Sequence, residues 1–170
     1  MRRAMVAALV LLAAGCSAQT AGSPPSPAVG DASRVDMCTI LTDAELAGLG
    51  IKLTSRKPNN RLGEVGCRWA GQPFTLDLER GKESVAQYRA RRDDPAFTSF
   101  ADNTVNGRAG ARLSVESDRS DCTQLIDGGS VGLVVSVAQS GLYTGPPINT
   151  CAEAMRIAQM IEPRLPKSGS

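Results

Sequence analysis

Polar and apolar residues alternate along several short stretches of the chain, and this spacing predicts β-strands. In residues 74–79 the apolar positions share one face, and Thr75, Asp77 and Glu79 share the other. We therefore expect one face of this strand to be buried and the other to be solvated. Residues 65–70 precede it across a Gly-Gln-Pro step, and the pair predicts a β-hairpin.

Further strands are predicted where β-branched and apolar residues cluster between turn signals. The step Asp127-Gly128-Gly129-Ser130 is a strong signal for a hairpin turn. The stretch that follows this turn is the most apolar one in the mature chain. The predicted strands are residues 51–53, 112–116, 122–126 and 131–138.

Three helices are predicted from capping signals and helical spacing. Thr42 and Glu45 form a capping box that predicts a short helix over residues 42–49. A middle helix is expected at about residues 83–92, and a second box, Thr150 to Glu153, predicts a helix ending near residue 162. Strands and helices are grouped rather than alternating. The pattern predicts an α+β fold with a mainly antiparallel sheet of about five to six strands.

The chain contains five cysteines, and four of them lie in the region predicted to fold. Four cysteines allow three pairings into two disulfides. Cys38 and Cys67 are 29 residues apart, as are Cys122 and Cys151, so sequential pairing closes two loops of equal size. We predict the disulfides Cys38–Cys67 and Cys122–Cys151. No CxxC motif and no metal-ligand spacing is present, so no cofactor or metal is expected.

The N-terminus has the layout of a secretory signal. Arg2 and Arg3 precede a short apolar run, which ends in small residues before Cys16, as in a bacterial lipobox. We predict a signal peptide over residues 1–15, a lipid on Cys16 and attachment to the outer face of the cell membrane. A Pro/Ser/Gly tether is expected over residues 16–34, one extracytoplasmic domain over 35–166 and a disordered tail over 167–170.

Two short motifs resemble those of a known family. The segment around Cys38-x-x-Leu41-Thr42 and the strand motif Cys67-x-Trp69 are similar to those of the actinobacterial lipoproteins of domain of unknown function 3558, which include mycobacterial Lpr-type lipoproteins. The resemblance covers about residues 36–165. It implies an envelope-anchored extracytoplasmic domain with paired cysteines. It supplies no activity, so it implies no catalytic residues.

Composition removes several function classes. The chain has no histidine, which excludes Ser-His-Asp and Cys-His catalysis and every histidine metal site. Its 19 basic and 17 acidic residues become 17 and 17 once Arg2 and Arg3 are removed with the signal peptide. A neutral mature chain has no electrostatic footprint for nucleic acid.

Asp77 and Glu79 are the carboxylates considered for acid–base chemistry, because they are two apart on one strand and face the same way. The alternative is a solvated sheet face with Arg68 or Arg80 as neighbours, and we favour it.

Three function classes are left by these observations. The first is a non-enzymatic binding or accessory module at the outer face of the membrane, which captures a small ligand, a glycan or a lipid; an envelope protein is the partner in the second class. The second is a scaffold that docks on another envelope component. The third is a histidine-free hydrolase that uses carboxylates. Nothing in the sequence predicts a carboxyl group with a raised pKa, which counts against the third. We expect the first, with the second as the alternative, because no sequence feature separates these two.

Overall fold

The computed structural model describes residues 30–60, 63–115 and 118–167. The predicted signal peptide, the lipid site at Cys16 and most of the predicted tether lie outside the described residues. The last three residues of the predicted tail also lie outside them.

The described residues form one antiparallel sheet packed against helices, in agreement with the predicted α+β class. Seven strands are present in this part of the chain, in the spatial order β1-β2-β3-β7-β6-β5-β4, so the predicted number of five to six is slightly low. Each pair of neighbours is antiparallel. The strands are β1 Lys57–Asn59, β2 Val65–Trp69, β3 Phe74–Arg80, β4 Phe97–Val105, β5 Arg108–Val115, β6 Asp118–Asp127 and β7 Gly132–Gln139.

Two strands were not predicted, and one predicted strand is absent. Residues 51–53 were expected to be a strand, but Ile51 makes only an isolated bridge to Gly71, and a short 3₁₀ helix begins at Leu53. Strands β1 and β4 lie at the two edges of the sheet. Edge strands carry less apolar sequence than central ones, because they have a strand neighbour on one side only, so hydrophobic patterning identifies them poorly.

The three helices are α1 Asp43–Gly48, α2 Val85–Ala90 and α3 Thr150–Ile161. The predicted capping box of Thr42 and Glu45 is confirmed at α1. The predicted box at Thr150 is wrong, because the side chain of Asn149 accepts the hydrogen bond from the Ala152 N–H and caps α3. No helix among the described residues combines the length and the apolar character needed to cross a bilayer.

The main core lies between one face of the sheet and helices α1 and α3. Apolar side chains from the central strands meet the buried stripe of α3, which consists of Ala154, Ile157, Ala158 and Ile161. Trp69 is also fully buried in this layer. Both disulfides have the predicted pairing, Cys38–Cys67 and Cys122–Cys151. One disulfide therefore ties the turn before α1 to β2, and the other ties α3 to β6.

The N-terminal end of the described chain packs on the turn between β6 and β7. Ala32 is fully buried, and its N–H donates to the carbonyl of Gly128 at 2.8 Å. The Ser130 hydroxyl donates to Asp31 at 2.6 Å. Packing therefore begins a few residues before the domain boundary expected at residue 35.

Candidate ligand-binding cleft

A cleft lies on the sheet face opposite α1 and α3, where α2 covers part of the sheet. Its volume is about 560 Å³. Helix α2 packs on β5 and β6 through Val85 and Tyr88, and the strands continue beyond the helix as the floor. The lining residues are Asn59, Glu64, Arg68, Asp77, Glu79, Tyr88, Phe97, Leu113, Val115, Asp121, Thr123, Leu125, Val134 and Ser136.

Strand register brings these residues together from distant parts of the sequence. Arg68 pairs with Asp77, Asp77 with Ser136, and Ser136 with Thr123, which gives a polar row across four strands. Side chains of directly opposed residues lie on the same face of a sheet.

The neighbouring row runs from Glu79 through Val134 to Leu125 and is largely apolar. The cleft therefore has a polar side and an apolar side built from adjacent rungs of one sheet.

Asp77 is held by two neighbouring side chains. Arg68 donates to it through Nε at 2.6 Å and through a terminal nitrogen at 2.9 Å, which is a bidentate ion pair. The amide of Asn59 donates to the same carboxylate at 3.1 Å. The hydrogen bond to Asp77 raises the pKa of Arg68 above its ordinary value. The charges of Arg68 and Asp77 are thus engaged with each other.

Glu79 is a buried carboxyl group beside a second carboxyl group. Only 5% of the residue is exposed. Burial is the largest cause that raises the pKa of Glu79 to about 8, and the negative charge of Glu64 and a hydrogen bond between the two side chains add to it. At neutral pH Glu79 therefore keeps its proton.

The face carrying Asp77 and Glu79 was expected to be solvated, and this expectation is wrong. Both residues are buried, although they do share a face as the period-two pattern predicted. The physical reason is that β3 is an interior strand of the sheet, with β2 on one side and β7 on the other, and Glu64 and Tyr88 close over Glu79.

Tyr88 closes the cleft from the side of α2. Its hydroxyl donates to Glu64 at 3.1 Å. Burial, followed by the charge of Glu64, raises the pKa of Tyr88 above its ordinary value. The phenol is therefore a hydrogen-bond donor across the whole range in which the protein would operate. Glu64 consequently contacts both the Tyr88 hydroxyl and the Glu79 carboxyl group.

The other side of the cleft is apolar. Leu113, Leu125 and Val134 belong to a second buried cluster with α2, and Phe97 and Val115 pack against it. Thr123 and Ser136 lie between the two sides and are hydrogen-bonded to each other at 2.7 Å. A ligand in this cleft would meet hydrogen-bonding groups on one side and hydrocarbon on the other.

Comparison with protein families now places the chain. The sequence model of a family described as proteins of unknown function, DUF3558, matches residues 11–164. The chain belongs to the DUF3558 family. This confirms the resemblance found in the sequence, and the family's description assigns no activity. No curated protein and no solved structure matches the chain.

The cleft of this DUF3558 protein is separate from the cysteines that the sequence singled out, whereas Asp77 and Glu79, the carboxylates considered for acid–base chemistry, both line it. The four paired cysteines belong to the helix-covered side of the sheet, and Cys16 lies outside the described residues. In the part of the chain that is described, no group of three or more His, Cys, Asp or Glu residues is arranged to hold a metal ion.

Several cleft residues of the DUF3558 protein were missed from the sequence. Asn59 lies on an unpredicted strand, and Tyr88 falls within the predicted middle helix without having been singled out. Thr123 and Ser136 fall within predicted strands, where each lies beside an apolar residue, and this alternation was the available signal. What the alternation could not provide was the order of the strands, which places β7 beside β3.

Proposed function

We propose that this DUF3558 protein is a non-enzymatic binding module, anchored by a lipid on Cys16 at the outer face of the cell membrane, which holds a small ligand in the cleft. The observation that carries the proposal is the cleft itself. Its volume of about 560 Å³ falls within the range of small-molecule sites, roughly 300–1,000 Å³. Its division into a polar side and an apolar side also suits a ligand rather than a protein core.

The extracytoplasmic location is supported by the sequence signal before Cys16 and by the two disulfides. Disulfides persist in oxidising compartments and are rare in a reducing cytosol. A tether of about 14 to 18 residues would let the domain stand clear of the bilayer.

The test is native mass spectrometry of the protein purified from its own membranes. Ser136→Trp fills the cleft from its floor, and Thr144→Trp adds the same side chain to an exposed loop outside the cleft. We expect a co-purifying small molecule on the unmodified protein and on Thr144→Trp, and none on Ser136→Trp. An unmodified protein that carries no ligand, or equal occupancy of all three proteins, would contradict the proposal.

A carboxylate hydrolase is a second candidate, and one observation favours it. Glu79 keeps a proton at neutral pH, Asp77 lies two residues away on the same face of β3, and glycosidases use a pair of carboxyl groups. The oxygen atoms of Asp77 are engaged by Arg68 and Asn59, which favours binding over catalysis. A panel of chromogenic glycosides separates the two. Turnover that is lost in Glu79→Gln and kept in Asp43→Asn, a change on the exposed start of α1, would support the hydrolase.

A scaffold remains the alternative for which the described surface offers least support. The large hydrophobic residues exposed there are Leu53, Val65 and Leu142, and they come from three different segments. Docking surfaces are more often contiguous apolar patches of several hundred Å².

A further inference from the structure

We propose that the cleft selects an organic cation, that is, a ligand with a protonated amine beside an apolar chain or ring. This inference rests on the proposed binding function and adds the chemical class of the ligand. Three properties of the described lining lead to it: the balance of charge, the pairing of Glu64 with Glu79, and the apolar side of the cleft.

Carboxyl groups outnumber cationic groups among the described lining residues. The described lining residues include four carboxyl groups and one guanidinium group. That guanidinium belongs to Arg68 and is engaged by Asp77 in a bidentate pair. At the rim, Arg91 is likewise engaged by Glu83 and Asp94. An anionic ligand would therefore have to displace a carboxylate from an existing ion pair.

Glu64 and Glu79 form the point where a cation would bind. The two carboxyl groups are hydrogen-bonded to each other, and the guanidinium that acts on Glu79, that of Arg68, is already paired with Asp77. The proton on Glu79 removes the repulsion between the two carboxyl groups, as a cation bound between them would. An ammonium group has three N–H donors and makes strong charge-assisted bonds to carboxylates. On binding, the ammonium would displace the Glu79 proton to solvent.

The apolar side of the cleft indicates the chemistry of the rest of the ligand. Leu113, Leu125 and Val134 offer hydrocarbon within the same concavity. A metal ion would gain nothing from this surface, and the described residues include no arrangement suited to one. An amine that carries an alkyl chain or a ring would fill both sides.

The groups that face Glu79 set the pH dependence of binding. They are Glu64 before β2, Arg68 on β2, Asp77 on β3, Asp121 on β6 and Tyr88 on α2, while β7 contributes the uncharged Val134 and Ser136. Losing the Glu79 proton becomes easier as the pH rises toward the pKa of this group, which is about 8. Affinity for an ammonium should therefore increase between pH 6.5 and 8.5.

The experiment uses three probes with the same chain and different head groups: n-octylammonium, 1-octanol and octanoate. Titration calorimetry at pH 6.5 and 8.5, in two buffers of different ionisation enthalpy, measures affinity and proton release. We expect octylammonium to bind at least tenfold more tightly than either other probe, several-fold more tightly at pH 8.5 than at pH 6.5, and with release of a proton at the lower pH.

Two variants locate the effect. Glu79→Gln should remove both the proton release and the increase with pH, because an amide does not titrate in this range. Asp43→Asn, which removes an exposed carboxylate at the start of α1, should leave binding unchanged. Circular dichroism of each variant checks that the fold is kept.

The outcomes separate the ligand class from the binding function. If octanol or octanoate binds as tightly as octylammonium in the calorimeter, and Ser136→Trp abolishes that binding, the cleft binds ligands and the inference of a cation is wrong. Octylammonium binding that is unaffected by both Glu79→Gln and Ser136→Trp would overturn the inference as well. If none of the probes binds, the inference also fails, and the occupancy of the protein from native membranes still decides the proposed function.

Discussion

Glu79 is the residue at which the structure departs most from ordinary surface chemistry. A carboxyl group that is 95% buried and faces another carboxyl group is costly to ionise. Its proton is therefore part of the folded state at neutral pH. Strongly perturbed groups of this kind occur more often at binding and catalytic sites than elsewhere, which is consistent with a functional role for the cleft.

Glu79→Gln should make the protein more stable at high pH. The folded-state pKa of about 8 lies above the ordinary value of 4.5, so the folded protein binds more protons than the unfolded chain between these values. The contribution of Glu79 to stability is fully present below about pH 4.5 and is lost as the pH rises through about 8. We expect Glu79→Gln to raise the Tm by several degrees at pH 8.5 and to change it little at pH 5, measured by thermal unfolding. An equal shift at both pH values would contradict this.

Arg108 is a second buried charge, and its role is structural. It is 4% exposed, pairs with Glu162 at 3.0 Å, and donates to the carbonyl oxygens of Asp127 and Pro166. One side chain therefore joins β5, the end of β6 and the C-terminal segment.

Arg108→Met should cost on the order of 3–5 kcal/mol in the free energy of unfolding, because it leaves Glu162, whose side chain is only 12% exposed, without this partner. Arg156→Met is the matched control, since Arg156 is half exposed and pairs with Glu153 on the surface of α3. Its cost should be below about 1 kcal/mol. Urea denaturation of both variants provides the measurement, and similar losses for the two would refute the structural role of Arg108.

At the scale of elements, what could be predicted depended on local signals. The hairpin of β2 and β3, the turn from Asp127 to Ser130 and the cap of α1 are encoded within a few residues, and all three are confirmed. Strand β4 was missed although a local signal existed. The turn that joins β4 to β5 has positive φ at Asn106 and Gly107, and an Asn-Gly step is a strong sign of a two-residue hairpin.

The cap of α3 provides a test at this scale. Asn149→Ala removes the side chain that accepts from the Ala152 N–H at 3.0 Å, and should lower stability by about 1 kcal/mol. Thr150→Ala should have a clearly smaller effect, because Thr150 is the first residue of the helix and not its cap. Chemical denaturation of the two variants distinguishes the cap observed from the cap predicted. A larger loss for Thr150→Ala would favour the latter.

The chemistry of the cleft was predictable only in part. The period of two places Asp77 and Glu79 on one face from sequence alone. Their burial depends on β7 and α2, which are distant from β3 in the sequence. Asp77, for example, pairs with Ser136 on β7. No pattern within β3 carries that information.

At the scale of the whole molecule, the sheet divides the protein into two layers of different character. One face carries the main core and both disulfides, and the other carries the cleft. The pairing of the cysteines followed from their equal spacing. The order of the strands could not be predicted in this way. After β3 the chain crosses to the far edge of the sheet to form β4, and the last strand, β7, returns to lie beside β3.

The proposed membrane anchor is also tested at this scale. Cys16→Ser removes the thiol that would carry the lipid, so the protein should move from the membrane fraction to the medium or persist as an unprocessed precursor. Fractionation followed by mass spectrometry of the N-terminus gives the measurement. Ser17→Ala, next to the predicted acylation site, should leave the location unchanged. A Cys16→Ser protein that stays on the membrane and is still cut before residue 16 would exclude this anchor.

The positions of the two disulfides make the domain divisible. Cys38–Cys67 lies within the part that ends with β3, and Cys122–Cys151 lies within the part that begins with β4, so neither bond spans the connection that contains α2. A protease that cuts at the exposed residues Arg91 and Arg92 would leave two internally cross-linked fragments with no covalent bond between them.

Such fragments should migrate together in native buffer and as two bands in denaturant without a reducing agent. Asp77 and Glu79 would belong to one fragment, and Val134 and Ser136 to the other. The cleft would then exist only in the reassembled pair, and a molecule that binds in it would slow the dissociation of the two fragments.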